Sequence, residues 1–275
     1  MLAAGGCSTS PAEPSAGASP TVADLSTPRT GERNQVPYDI EVGAVGEGVE
    51  RAFVLREKGA RDGQPLLLFF HGWGGHTTAK YEPWLTHLAR QGFTIVFPAY
   101  QEPPYDPESD DAVKAFDNAV AGIRLALAEV KVNRGLVVAT GVSAGGALAE
   151  DYGRAAKRLG LPAAKVIYAV YPGRGLPQIG NVLPVQPGKL PSDVRVGAVA
   201  SPHDTWAGTR WAEDIMARAA HLPKSRRKLM LVRSEAIGDH AAPLRATPEA
   251  RVAFWAPLDA LIRRAIPAAE RAPVS

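Results

Sequence analysis

The chain has 275 residues, enough for one large domain, and its 45% hydrophobic and 21% charged residues are ordinary for a globular protein. The formal net charge of +3 comes from 31 basic and 28 acidic residues spread along the chain, which argues against a nucleic-acid-binding protein with a basic stripe. No uninterrupted apolar run is long enough to cross a bilayer, so a membrane-spanning protein is excluded.

Residues 1–37 are dominated by Ser, Pro, Ala, Thr and Gly, cannot bury a core, and are expected to form a disordered leader. The leader starts Met-Leu-Ala-Ala-Gly-Gly-Cys, and small residues before a cysteine with a flexible linker after it resemble the lipobox of bacterial lipoproteins. The resemblance implies a signal peptide, a lipid anchor at Cys7 and a place in the bacterial cell envelope, or secretion.

The leader departs from the lipoprotein pattern in two respects. Ala4 stands where that family usually has Leu, and only six residues precede Cys7, too few for a charged and an apolar region. Export therefore requires residues upstream of Met1, and a cytoplasmic protein is expected if Met1 is the true start.

Residues 38–275 are expected to form one α/β domain. Strands are predicted at 38–42 and 49–55, and from residue 65 onward apolar strand patterns alternate with amphipathic helical ones. Continuous apolar strands fit a mostly parallel central sheet with helices on both faces. The predicted strands are 66–70, 93–97, 136–140, 166–170, 194–200 and 229–232, and the predicted helices are 80–91, 110–130, 144–159, 208–221 and 247–266. Residues 172–191, with five prolines and four glycines, are predicted as a loop over one end of the sheet.

The sequence Gly-Val-Ser-Ala-Gly at 141–145, followed by Gly146, matches G-x-S-x-G. This pattern is typical of a strained turn between a strand and a helix that raises a serine hydroxyl above the sheet edge. The predicted strand 136–140 and helix 144–159 supply that context. Ser143 is therefore the candidate nucleophile.

A second motif, His-Gly-Trp-Gly-Gly at 71–75, directly follows the predicted strand 66–70. With the serine motif, it resembles the α/β-hydrolase superfamily, and especially its lidless dienelactone-hydrolase, cutinase and polyester-hydrolase side. The resemblance covers residues 50–266 and implies an oxyanion hole formed by the backbone N–H groups of Trp73 and Ala144. His71 is expected to anchor the loop.

The resemblance has two departures that bear on the substrate. Dienelactone hydrolases proper use a cysteine nucleophile where this chain has Ser143. Many cutinases carry disulfides, whereas Cys7 has no partner in this chain.

A base and an acid are expected after the nucleophile, in the order serine, acid, histidine. Asp204 follows the predicted strand 194–200, and His240 follows the predicted strand 229–232. Ser143, Asp204 and His240 form the predicted triad. Asp239 is the alternative acid, and the remaining histidines are interpreted as structural.

Aromatic side chains recur in segments expected to border the pocket, namely Trp73, Tyr100, Tyr105 and Trp206. They suit an apolar acyl or alcohol group, although each could equally pack the core. Tyr100 and Trp206 are the candidate substrate-binding residues.

The sequence thus predicts a serine hydrolase that cleaves a small-molecule carboxylic ester through an acyl-enzyme. Amide, thioester or peracid chemistry on the same triad, or a non-catalytic binding or envelope protein on the same scaffold, are the alternatives. No cofactor or metal is expected, because H-E-x-x-H, C-x-x-C and Walker patterns are absent from the sequence. Neither the substrate nor the oligomeric state follows from the sequence.

Overall fold

The computed structural model describes residues 39–103, 111–176 and 181–267, which belong to one unit, Val36–Ser275. Cys7 and Tyr105 lie outside the described residues, so the lipid anchor and the aromatic wall expected there stay predictions. The same holds for the division into a leader of residues 1–37 and a domain of residues 38–275. None of the described helices is both long and apolar enough to cross a membrane.

The described strands form one large sheet and one small ribbon. In chain order they are β1 (Ile40–Val45), β2 (Ala52–Glu57), β3 (Gln64–Phe70), β4 (Thr94–Pro98), β5 (Val132–Val142), β6 (Val166–Val170), β7 (Gly175–Leu176), β8 (Asn181–Val182), β9 (Arg195–Ala200) and β10 (Arg227–Leu231). The large sheet has eight strands in the order β1-β2-β4-β3-β5-β6-β9-β10, and β7 pairs with β8 separately. Among the described strand pairs of the large sheet, β1–β2 and β2–β4 are antiparallel and the others are parallel. The predicted mostly parallel sheet is confirmed.

Helices cover both faces of this sheet. They are α1 (Glu82–Ala89), α2 (Ala112–Glu129), α3 (Ala144–Ala155), α4 (Arg210–Arg218), α5 (Pro248–Ala250) and α6 (Ala256–Ala265). Leu66, Leu68 and Phe70 of β3 share one apolar core with α2, α3 and α4. Leu67 and Phe69 share a second core with α1 and α6. Because successive strand residues face opposite sides, the two cores lie on opposite faces and leave every residue of β3 buried.

Three segments differ in detail from the sequence-based expectation. The predicted loop 172–191 contains the β7–β8 ribbon. The predicted strand 229–232 begins two residues earlier than expected, as β10, directly after a 3-10 turn (Lys224–Arg226). Charged residues are tolerated there because β10 is an edge strand with one side toward water.

The predicted helix 247–266 is interrupted by a π-helix, Arg251–Trp255, between α5 and α6. Pro257 is at the start of α6 and has no N–H to continue the ordinary helical hydrogen bonds. The change of helical pattern ahead of this proline is its structural consequence.

Candidate active site

The candidate site lies where four parallel strands of the large sheet end. Loop 71–75 follows β3, Ser143 follows β5, Asp204 follows β9 and His240 follows β10. Parallel strands bring their carboxyl ends to the same edge of a sheet, which is where ligands bind in open α/β folds. The topology thus gathers residues that are far apart in sequence.

Ser143 occupies a strained turn between β5 and α3, with φ of 56° and ψ of −124°. Its N–H donates to the Val170 carbonyl at 2.9 Å, and its carbonyl accepts from the Gly173 N–H at 3.0 Å. A Cβ on Gly145 would overlap the carbonyl oxygens of Phe70 and His71, so only glycine permits this close approach. The sharp turn expected from G-x-S-x-G is present.

Two hydrogen bonds join the three predicted triad residues. Nε2 of His240 lies 2.9 Å from Oγ of Ser143, and Nδ1 of His240 lies 2.7 Å from Oδ2 of Asp204. The carboxylate can only accept, so Nδ1 carries the proton and leaves Nε2 free to accept from the serine hydroxyl. This is the geometry that a serine nucleophile and its base require.

The second carboxylate oxygen of Asp204 is also occupied. Oδ1 accepts the backbone N–H groups of Trp206 at 2.9 Å and Ala207 at 3.1 Å. The Asp204 side chain is fully buried. Both oxygens are therefore held in place, one by the turn that follows and one by His240.

The alternative acid, Asp239, points to another partner. Its carboxylate accepts two hydrogen bonds from the Arg245 guanidinium, at 2.7 and 2.8 Å. Burial tends to raise the pKa of Asp239, but the bonds to Arg245 outweigh it and lower that pKa. Among the described residues, the hydrogen bond to Nδ1 of His240 thus favours Asp204 over Asp239 as the acid.

Three other histidines have hydrogen-bonding partners elsewhere in the molecule. Nε2 of His87 lies 3.0 Å from the Asp259 carboxylate. His203 contacts the Arg233 carbonyl at 3.1 Å, and His221 contacts the Leu190 carbonyl at 3.0 Å. These contacts fit the structural roles expected for them.

Loop 71–75 is fixed on both sides of Trp73. The Gly72 N–H donates to the Tyr81 hydroxyl at 2.8 Å, and the Gly74 N–H donates to Oε1 of Gln101 at 3.0 Å. Trp73 itself contributes to the wall of the cavity beside Ser143. Ala144, the other predicted oxyanion donor, is the first residue of α3, where N–H groups have no partner within the helix.

His71 anchors this loop, as expected. Its ring is fully buried, stacks on Tyr100 at 3.9 Å between centroids, and donates from Nδ1 to the Gly72 carbonyl at 2.6 Å. Burial lowers the pKa of His71 to about 3. The ring is therefore neutral near pH 7, and nothing in its contacts suits a proton carrier.

A cavity of about 630 Å³ opens beside Ser143. Its wall includes Trp206, which is 77% exposed and whose ring centroid lies 6.3 Å from that of His240. Trp211 and Leu244 add further apolar surface. Trp206 thus stands where the sequence placed a substrate-binding aromatic residue.

Tyr100 lies elsewhere than expected. It is 1% exposed, donates from its hydroxyl to the His71 carbonyl, and is not among the residues that line the cavity. The sequence placed Tyr100 after a strand that ends at the site, but that strand, β4, directs this ring behind loop 71–75. The structure therefore makes Tyr100 a support of the loop and not a wall of the pocket.

Two residues that the sequence did not single out hold the site together. Tyr171, with φ of 44°, donates from its hydroxyl to the Ile237 carbonyl at 2.8 Å and so joins the end of β6 to the turn before His240. Arg174 is 2% exposed and binds Asp151 at 2.9 Å and Glu150 at 3.0 Å, both fully buried on α3. Two adjacent acidic residues within an apolar helix were the available signal for a buried cation.

A family model described as an alpha/beta hydrolase fold matches residues 67–186, which include loop 71–75 and Ser143. The chain has the α/β-hydrolase fold. The predicted resemblance to the α/β-hydrolase fold is therefore confirmed. A comparison of this chain with curated proteins finds no match in sequence.

Solved structures share the fold over most of their length. Esterase B from Lactobacillus rhamnosis, inhibited by a tributyrin phosphonate, is 18% identical with a TM-score of 0.63, covering 88% of this chain and 92% of its own. An esterase from Thermogutta terrifontis is 16% identical with a TM-score of 0.62, covering 88% and 96%. A Klebsiella pneumoniae protein assigned as a dienelactone hydrolase is 17% identical with a TM-score of 0.59, covering 82% and 99%. At such identities, the likeness is one of fold.

Proposed function

We propose that this α/β-hydrolase is a serine carboxylesterase that cleaves a small-molecule ester through an acyl-enzyme on Ser143. The observation that carries the proposal is the pair of hydrogen bonds from Ser143 to His240 and from His240 to Asp204, at 2.9 and 2.7 Å. The matching family model and the esterases of the same fold support it.

In the first half of the reaction, Nε2 of His240 takes the proton from Oγ of Ser143 as this oxygen attacks the ester carbonyl carbon. The bond from Nδ1 to Asp204 keeps His240 in the required tautomer and stabilises the imidazolium that forms. The carbonyl oxygen gains negative charge in the tetrahedral intermediate.

The N–H groups of Trp73 and Ala144 are the proposed donors to that charge. Loss of one such donor costs about 2.7–4 kcal/mol in other serine hydrolases. Gly72 and Gly74 hold the loop from either side of Trp73, so its N–H is set in position before substrate binds.

Collapse of the intermediate expels the alcohol, whose oxygen takes the proton from His240. A water molecule then attacks the acyl group on Ser143 as His240 takes its proton; the bond from the acyl carbon to Oγ breaks, His240 returns the proton to Oγ, and the carboxylic acid leaves. These steps use side chains and backbone N–H groups of the protein together with water.

The cavity fits an ester with a substantial apolar part. A volume of about 630 Å³ is within the range of small-molecule sites, and Trp73, Trp206, Trp211 and Leu244 provide apolar walls. We propose that Trp206 contacts the acyl or alcohol group of the substrate.

The proposal is tested by reaction with a fluorophosphonate probe and by hydrolysis of p-nitrophenyl esters. The wild type should label and turn over, and Ser143→Ala should lose both. Ser192→Ala, which changes an exposed serine, is the matched control and should behave as the wild type. A wild type that neither labels nor hydrolyses any p-nitrophenyl ester would contradict the enzyme proposal and favour a binding protein.

The bond type is tested separately with esters, thioesters and anilides of one acyl group. The proposal expects the oxygen ester to have the highest kcat/KM. A higher value for the thioester or the anilide would retain the triad and reject the carboxylesterase assignment.

A further inference from the structure

Tyr81 lines the cavity next to the nucleophile. Tyr81 ends a 3-10 turn (Ala79–Tyr81) just before α1, and its ring packs edge-on against Phe69 at 5.2 Å. The side chain is 4% exposed, yet it borders the same cavity as Ser143. A buried phenol at a reactive centre needs its hydrogen bonds accounted for.

The hydroxyl has one hydrogen bond within the described part of the chain. Its oxygen accepts the Gly72 N–H at 2.8 Å, which leaves its own O–H still to donate. No acceptor for that proton is found among the described residues. An acceptor on a bound substrate would complete the bonding of this group.

Gly72 lies between Tyr81 and Ser143, and Gly75 lies against the Tyr81 hydroxyl. A Cβ on Gly72 would lie 3.2 Å from Cβ of Ser143 and 3.7 Å from the Tyr81 hydroxyl, so one small group spans the two. A Cβ on Gly75 would lie only 2.6 Å from that hydroxyl. A side chain at either position would therefore crowd the Tyr81 hydroxyl.

Burial raises the pKa of Tyr81 to about 12, although the bond from Gly72 opposes the rise. The phenol is therefore protonated across the pH range in which a serine esterase works. It can donate a hydrogen bond throughout that range.

We propose that Tyr81 is a third hydrogen-bond donor to the oxyanion, in addition to the N–H groups of Trp73 and Ala144. The inference rests on the proposed esterase function. Tyr81 accepts from Gly72, which is adjacent to Trp73, and donates its O–H to the oxygen that becomes negative when Ser143 attacks. Its proton stays on the phenol, so the residue stabilises charge without transferring a proton.

Tyr81→Phe tests this role, because it removes the hydroxyl and keeps the ring. We expect kcat to fall about 10²-fold with little change in KM, since the donor acts mainly in the transition state. Tyr100→Phe is the control for loop support, since it removes a buried hydroxyl that also binds loop 71–75 but lies outside the cavity wall.

Thionoesters, in which sulfur replaces the carbonyl oxygen, separate donation from loop support. Sulfur accepts hydrogen bonds weakly, so Tyr81→Phe should lower kcat/KM for the oxygen ester at least tenfold more than for its thiono analogue. Tyr100→Phe should reduce the two substrates in equal proportion. An equal reduction of both substrates in Tyr81→Phe would overturn the proposal.

Gly75→Ala provides a second variant should Tyr81→Phe fail to fold, because its Cβ would lie 2.6 Å from the Tyr81 hydroxyl, closer than to the Gly72 carbonyl oxygen at 3.0 Å, and would force the hydroxyl to shift. It should show the same loss of discrimination between oxygen and sulfur. An active wild type with unchanged discrimination in these variants overturns the Tyr81 role alone. A wild type without esterase activity overturns both this role and the proposed function.

Discussion

The Tyr171 hydroxyl donates to the Ile237 carbonyl at 2.8 Å, which fixes the turn that leads to His240 against the end of β6. Tyr171→Phe should leave that carbonyl without its partner and loosen the position of the imidazole. We expect kcat to fall several-fold with KM nearly unchanged, together with a loss of about 1 kcal/mol in the free energy of unfolding.

Tyr168→Phe is the matched control for this change. Tyr168 is on β6, the strand that Tyr171 directly follows, and donates to the Phe254 carbonyl at 2.8 Å, in the core and away from the cavity. It should lose similar stability in urea unfolding and keep its kcat. Equal losses of kcat in the two variants would argue against a role of Tyr171 in placing His240.

The buried Arg174 should contribute strongly to the free energy of unfolding through its ion pair with Asp151. Burial raises the pKa of Asp151, opposed by the charge and hydrogen bonds of Arg174. Arg174→Met would leave Asp151 without its cation, and loss of one partner from a buried pair costs about 3–5 kcal/mol. Glu150 would retain Arg218, which binds it at 2.7 Å.

The double variant Arg174→Met with Asp151→Asn should recover a large part of that stability, because no unpaired charge then remains at position 151. Urea unfolding of the two single variants and the double variant measures the coupling. Losses that simply add would show that the pair is not coupled.

His71 should make the protein less stable in acid. Its pKa is lowered to about 3 by burial, whereas the unfolded chain has the ordinary value of 6.5. Between these values the unfolded state binds the additional proton, so the stability present above pH 6.5 is lost as the pH falls toward 3. The contribution to the slope is at most about 1.4 kcal/mol per pH unit.

His71→Asn keeps a donor close to the position of Nδ1 and cannot titrate. Its free energy of unfolding should depend less on pH between 6.5 and 3 than that of the wild type, whatever its value at pH 7. Parallel curves for the two proteins would mean that His71 is not held neutral.

Trp206 should set the affinity for apolar substrates. Trp206→Ala should raise KM for aryl or long-chain esters about 3- to 10-fold, which corresponds to the ~0.5–1.5 kcal/mol of an aromatic contact. The KM for acetate esters should change less. Val252→Ala, which removes an exposed apolar side chain outside the cavity wall, is the control. An unchanged KM across the ester series would remove Trp206 from the binding site.

The mostly parallel sheet could be predicted from the sequence, and so could the proximity of Ser143, Asp204 and His240. Apolar strands alternate with helices, and parallel strands bring the loops that follow them to one edge. The chain order of the three residues then decided which loops to consider. Short motifs were informative here because their local geometry requires glycine, as at Gly145.

Side-chain direction was the part that the sequence could not supply. Tyr100 and Tyr81 both lie near the ends of elements that border the site, yet Tyr100 stacks behind the loop and Tyr81 faces the cavity. The partners of Arg174 are on α3, more than twenty residues earlier, and no periodic pattern connects them. Such contacts depend on tertiary packing.

The central claim is that an acyl group passes through Ser143, and trapping that intermediate tests it most directly. The wild type should be mixed with a p-nitrophenyl ester, quenched in acid within the first turnover, and digested for peptide mass spectrometry. We expect one acyl group per protein on the peptide that contains Ser143, and none in Ser143→Ala. Rapid hydrolysis with the acyl group on another residue, or with an unmodified Ser143 at every quench time, would contradict it.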